Sequence, residues 1–122
     1  MRHKRDAIAN DRIRLEHMLL AAREAQTFLA ERSEAEFLVD RLLARGVKDC
    51  LQEIGEAASR VSDEGRARAP RIPWPKIVGM RHILVHAYYS IDLPTIWRVA
   101  RADLPELIDA VEDALATWPD GG

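Results

Sequence analysis

The chain is organised around Pro73-Trp74-Pro75-Lys76-Ile77-Val78-Gly79-Met80-Arg81-His82-Ile83-Leu84-Val85-His86-Ala87-Tyr88-Tyr89. Proline is tolerated in the first turn of a helix, where its missing amide donor is not needed. The stretch therefore reads as a helix that starts at Trp74 or Pro75 and runs to Tyr88 or Tyr89. Ile77, Ile83, Leu84 and Val85 alone would make it a plain core element, but an arginine, two histidines and two tyrosines interrupt them. An imidazole, a guanidinium or a phenol inside a packed helix must find partners or face a wet cleft. The element is either a hydrogen-bonded core or a site.

On the N-terminal side, residues 6–30 hold neither proline nor glycine. Ile8, Leu15, Met18, Leu19, Ala22, Ala25 and Leu29 form one broad apolar stripe, so a long amphipathic helix is expected there. Ser33-Glu34-Ala35-Glu36 has the spacing of a capping box and opens a second long helix, read as bent near Gly46 and ending around Ser62. Gly55 and Ala58 remove bulk where another helix can approach closely. Glu56 is either an acidic partner for a cation inside the bundle or a surface carboxylate. Residues 63–72 read as an arginine-rich connection with room for one short helical turn. Beyond the central helix, Ser90 to Leu93 form a break. A short helix then runs from Pro94 through about Ala102, and Asp103 caps a last helix with Leu104, Leu107, Ile108, Val111, Leu115 and Trp118 on its apolar face. No stretch alternates over β-branched residues in the manner of a strand. Two long helices, a shorter central one and a final one predict an all-α, up-and-down four-helix bundle with an accessory helix.

The 122 residues make one domain, 1–122, with its core at about 6–118. With 48% hydrophobic and 31% charged residues, disorder is the wrong frame. One cysteine, Cys50, excludes an internal disulfide and a cysteine metal cluster, and it reads as a packed thiol. Apolar runs fall far short of the roughly 18 residues that span a bilayer, so no membrane is expected and a reducing cytoplasm is the default location. The net charge of −2 hides a segregation: residues 41–81 carry nine Lys/Arg against five Asp/Glu, whereas residues 82–122 carry two against seven. A basic cleft for a phosphate-bearing substrate and simple charge balance between packed helices both account for it.

At about 100° per residue, Arg81 and Tyr88 share a helix face, whereas Arg81 and His86 stand about 140° apart and about 7.5 Å apart along the axis. His82 and His86 share a face, but zinc needs a third ligand, and Glu56 or His17 would have to be recruited without a motif. Arginine beside histidine has a more economical use. Histidine exchanges protons near neutral pH and arginine offers a charged fork to phosphate oxygens, so together they suit cleavage of RNA, whose 2′-OH is a built-in nucleophile. A nuclease, a hydrogen-bonded structural cluster and a nucleotide-binding module all remain open on these residues alone.

The ordered set is more specific. Ile54-Gly55-Glu56-Ala57-Ala58, Ile72-Pro73-Trp74 with Ile77, Gly79-Met80-Arg81, Arg81-x4-His86-x-Tyr88, Asp92, and Asp103-Leu104-Pro105-Glu106-Leu107 together resemble the HepT-like toxins of the HEPN superfamily, from the first helix to Leu115. The resemblance implies a HEPN-like bundle that forms a homodimer, with the motifs of two subunits facing one cleft. It implies the toxin component of a type VII toxin–antitoxin system, partnered by an MntA-like nucleotidyltransferase antitoxin. The activity implied is that of an endoribonuclease working without metal or cofactor, with Arg81 and His86 at the scissile phosphate of an RNA substrate. Tyr88 would be the tyrosine silenced by AMPylation, and Glu56 would orient Arg81. The position after Arg81 is commonly asparagine in the family and is His82 here, a departure that bears on proton transfer more than on the fold. The alternative is a non-catalytic nucleotide-binding or interaction module of a nucleotidyltransferase complex.

Overall fold

A computed structural model describes residues 2–86 and 92–119, the side chains at 2–5, 83, 85 and 86 excepted. The described residues form helices and no strand. Helix α1 spans Arg2–Leu29, α2 Glu34–Val39, α3 Arg41–Ser59, α4 Asp63–Arg68, α5 Trp74–His86, α6 Leu93–Arg98 and α7 Leu104–Ala116. Helix α3 lies at the centre, with α1 against one side and α5 against another, while α7 packs on α1. The expected stripe of α1 is buried, with Leu15, Met18 and Ala25 fully enclosed, and Phe37, Val47, Ile54 and Ala58 meet it from α2 and α3. No helix among the described residues is long and apolar enough to cross a membrane.

The second long helix is in fact two, and the break falls at Asp40 rather than at Gly46. Asp40 leaves helical geometry at φ −102° and ψ 96°, its amide closing α2 on the Glu36 carbonyl and its side chain capping α3 by accepting from the Leu43 amide. The Arg32 guanidinium holds the other carboxylate oxygen at 2.6 Å. One aspartate thus ends one helix and starts the next, satisfying amide donors that a bend elsewhere would leave open. Gly46 is helical, and the Phe28 ring occupies the space beside it, 3.2 Å from where a Cβ would stand. The capping box is formed as read: Ser33 Oγ accepts from the Glu36 amide and Glu36 accepts from the Ser33 amide.

The expected cap at Asp103 is also corrected. Asp103 is helical, its side chain makes no capping bond, and it pairs instead with Lys76 of α5 at 3.1 Å. The chain passes from α6 to α7 through a π turn, Val99–Asp103, with no break. Pro105 has no amide proton to offer the preceding turn, and a widened turn accommodates the lost bond. The residue that does cap is Asp92, whose carboxylate accepts from the Thr95 amide and hydroxyl to start α6.

Helix α4 fastens the return of the chain. Buried Asp11 of α1 accepts from the Ser62 amide at 2.9 Å and from its hydroxyl at 2.5 Å, while Ser62 Oγ caps α4 by accepting from the Gly65 amide. Arg66 of α4 then stacks over Trp74, whose indole donates to the Ala69 carbonyl. The start of α5 is therefore pinned, and α5 runs back along α3.

Candidate active site at the α3–α5 seam

The close approach read at Gly55 has a specific occupant. A Cβ at position 55 would overlap the Cβ of Arg81, stand 2.9 Å from its Cγ and 3.2 Å from its Cα. Only hydrogen fits there, so the arginine of α5 lies directly on the backbone of α3. Arg81 is half-buried and its Nε is enclosed without a hydrogen-bond partner. No carboxylate among the described residues lies within ion-pair distance of it. A half-buried guanidinium with an unpaired Nε–H is a ready donor to an oxyanion.

Glu56, next along α3, points elsewhere: it is half-buried and accepts from Gln52 Nε2 at 3.4 Å. It borders a groove of about 430 Å³ between α1 and α3 with Arg14, His17, Glu53 and Arg60. Gly55, and not an ion pair with Glu56, is what fixes the stem of Arg81 in this structure. His82 is exposed. The backbone of His86 completes α5, which puts it on the same continuous helix as Arg81, five residues on. Tyr88, the expected modification site, lies outside the described residues.

A second, larger space lies on the other side of α5. A cavity of about 710 Å³ separates α5 from α6 and α7, walled by Ile77, Leu84, Ile96, Leu104 and Leu107. Its walls are mostly apolar, with Lys76, Asp92, Asp103 and Glu106 among them, and it holds none of the candidate site residues. Cys50 is no nucleophile. Burial pushes its thiol up to about 12, helped by the Glu24 carboxylate that accepts its S–H at 3.4 Å. Among the described residues no group of three His, Cys, Asp or Glu side chains is placed to hold a metal ion.

Residues 18–114 match the family described as ribonuclease HepT-like, a span that contains every element of the seam. The chain belongs to that family. Among curated relatives it is 31% identical over 95 residues to "Putative RNase MJ1380" of Methanocaldococcus jannaschii, covering 78% of this chain and 87% of the relative. It is 35% identical over 105 residues to "Putative RNase TTE0752" of Caldanaerobacter subterraneus, covering 83% and 90%. It is 31% identical over 93 residues to "Probable ribonuclease HepT" of Thermococcus cleftensis, covering 76% and 84%. No solved structure matches. For a HepT-like chain, the sequence had already named Arg81, His86, His82 and Glu56. Gly55 was read only as a place of close approach, because a contact across 26 positions leaves no periodic signal.

Proposed function

We propose that this HepT-like chain is a metal-independent endoribonuclease and the toxin of a toxin–antitoxin pair. The observation that carries the reading is the state of Arg81: packed on Gly55, half-buried, and paired with no carboxylate among the described residues. A cation held this way is open to a phosphate, and its binding strengthens as charge builds on the phosphate oxygens. His86 supplies proton transfer. In the step, the 2′-oxygen bonds to phosphorus while the bond from phosphorus to the 5′-oxygen breaks. One imidazole takes the 2′-OH proton and a second returns a proton to the leaving oxygen.

A second His86 calls for a second chain. Arg81 and His86 stand about 140° apart on one helix, so a homodimer whose α5 helices face each other would bring two Arg81–His86 pairs to one phosphate. Under this reading His82 borders the same cleft and Glu56 supports it from the adjoining α1–α3 groove, and the whole of 1–122 acts as one domain in the cytoplasm. The partner is an MntA-like nucleotidyltransferase that transfers AMP to Tyr88. The bulky anion, placed two residues beyond His86, would block the cleft and occupy Arg81.

The test is RNA cleavage by the purified, unmodified protein in EDTA. Wild-type protein is expected to cut, and Arg81→Ala and His86→Ala are each expected to lose cutting by at least about 100-fold while keeping their fold and oligomeric state. Undiminished cutting by both variants overturns the assignment, and saturable RNA binding without scission at any dose favours the non-catalytic module. Intact mass after mixing with the partner and ATP tests the switch. An adenylate shift that persists in Tyr88→Phe removes Tyr88 as the sole target.

A further inference from the structure

The ribonuclease reading places one phosphate but leaves the path of the strand open, and the outer face of α3 bears on it. At about 100° per residue, Arg41, Arg45, Lys48, Gln52 and Gly55 fall within an arc of about 80°, and from Arg41 to Gly55 they span about 21 Å. Arg81 lies at the Gly55 end of this stripe. Because α5 runs back along α3, the step from Arg81 to His86 heads toward Lys48. The stripe therefore continues from the chemical pair along the seam, with Asp49 and Glu56 on its flank toward α1.

Charge distinguishes the stripe from the face that borders α7. Arg41 and Arg45 are exposed, and neither forms an ion pair among the described residues. The cations that border α7 behave differently: Arg23 meets Glu112, Arg71 meets Asp109 and Asp113, and Lys76 meets Asp103. Residues 41–81 also hold the positive excess of an otherwise acidic chain. Two unmatched arginines one helical turn apart, in line with Lys48 and with an enclosed guanidinium at the far end, fit a linear polyanion better than a compact one.

We propose that single-stranded RNA lies along α3, its phosphates held by Arg41, Arg45 and Lys48 on one side of the bond cut at Arg81 and His86. This inference rests on the ribonuclease reading, and its test is built to fail separately. The probe is a single-stranded oligonucleotide of about 20 nucleotides with 2′-O-methyl sugars, which binds without offering a nucleophile. Arg41→Gln with Arg45→Gln is expected to weaken binding about tenfold or more. It should also flatten the dependence of log affinity on log salt by about 1.4, two contacts at about 0.7 each for a single strand. Arg23→Gln with Arg71→Gln makes the same change of net charge on the other face and is expected to stay within about twofold of wild type.

Equal losses in the two double variants, or no loss in the first, would overturn the track. Poly-glutamate competing as strongly as the oligonucleotide would overturn the assignment to RNA. If the first variant alone loses binding while the wild type cuts no RNA, the track stands and the ribonuclease reading falls. If the wild type cuts RNA and the first variant binds unchanged, the track falls and the ribonuclease reading stands.

Discussion

The seam between α3 and α5 and the face between α1 and α7 treat arginine in opposite ways. Where α7 crosses α1, Arg23 reaches Glu112, and Arg71 of the loop ahead of α5 reaches two aspartates of α7. Hydrogen bonds to Asp109, with Asp113 close by, raise the pKa of Arg71 further and keep it charged. At the seam, Arg81 is held by van der Waals contact with a glycine, and on the outer face of α3 Arg41 and Arg45 stand in solvent with no ion pair among the described residues. The first arrangement neutralises charge and joins helices. The second keeps charge available to solvent, the arrangement that the proposed polyanion would use.

The contrast breaks most visibly at Gly55. Gly55→Ala adds the better helix former, worth about 1 kcal/mol in a helix interior, but its methyl takes the place of the Arg81 stem. RNA cleavage per folded molecule is expected to fall about 100-fold, the order expected when a reacting group shifts by about 1 Å, and because the methyl meets the Cβ and Cα of Arg81 the fold is expected to lose about 1–3 kcal/mol as well. An alanine variant as active as wild type would mean that the glycine does not set the arginine.

Asp11 tests the opposite kind of region, one built for stability. Asp11→Ala strips the Ser62 amide and hydroxyl of their acceptor inside the fold. Unfolding in urea is expected to become easier by about 1–3 kcal/mol, and the activity per folded molecule is expected to persist.

Cys50, between α1 and α3, gives a pH signature. In the unfolded chain the thiol ionises near the ordinary value of 9.0, whereas in the fold it keeps its proton to about 12. The unfolded state therefore binds fewer protons between these values. The contribution of this group is fully present below about 9 and is lost as the pH rises toward 12. Denaturation midpoints followed from pH 8 upward should fall in wild type and fall less in Cys50→Ala. At pH 8 a thiol reagent should label the native protein far more slowly than the unfolded one; equal rates would contradict the burial.

The smallest effect belongs to the paired face itself. Arg23→Gln with Glu112→Gln removes an exposed pair and is expected to shift stability by no more than about 1 kcal/mol. A larger loss would mean that α7 depends on that pair instead of on Leu107, Val111 and the Trp118 indole, which donates to the Ile8 carbonyl.

Much of this was legible in the sequence because the signals were local. The stripe of α1, the capping box at Ser33 and Glu36, and the start of α5 at Trp74 all depend on spacings of a few residues. The break at Asp40 was missed because it requires Arg32 and Leu43 together, whereas the nearby glycine looks like a bend on composition alone. Asp103 was misread because an aspartate before Leu-Pro fits a cap, and only the tertiary contact with Lys76 shows that it is spent elsewhere. At the site, residue types were readable and pairings were not: Gly55 meets Arg81, and Glu56 meets Gln52.

If Arg81 and His86 direct the 2′-OH of RNA at its own phosphate, the fragment ends carry the signature. After incubation of the wild-type protein with single-stranded RNA in EDTA, one fragment is expected to end in a 2′,3′-cyclic phosphate or its opened phosphate and the other to begin with a 5′-OH. Fragments with 3′-OH and 5′-phosphate ends, or cutting that appears only when a divalent metal is restored, would contradict it.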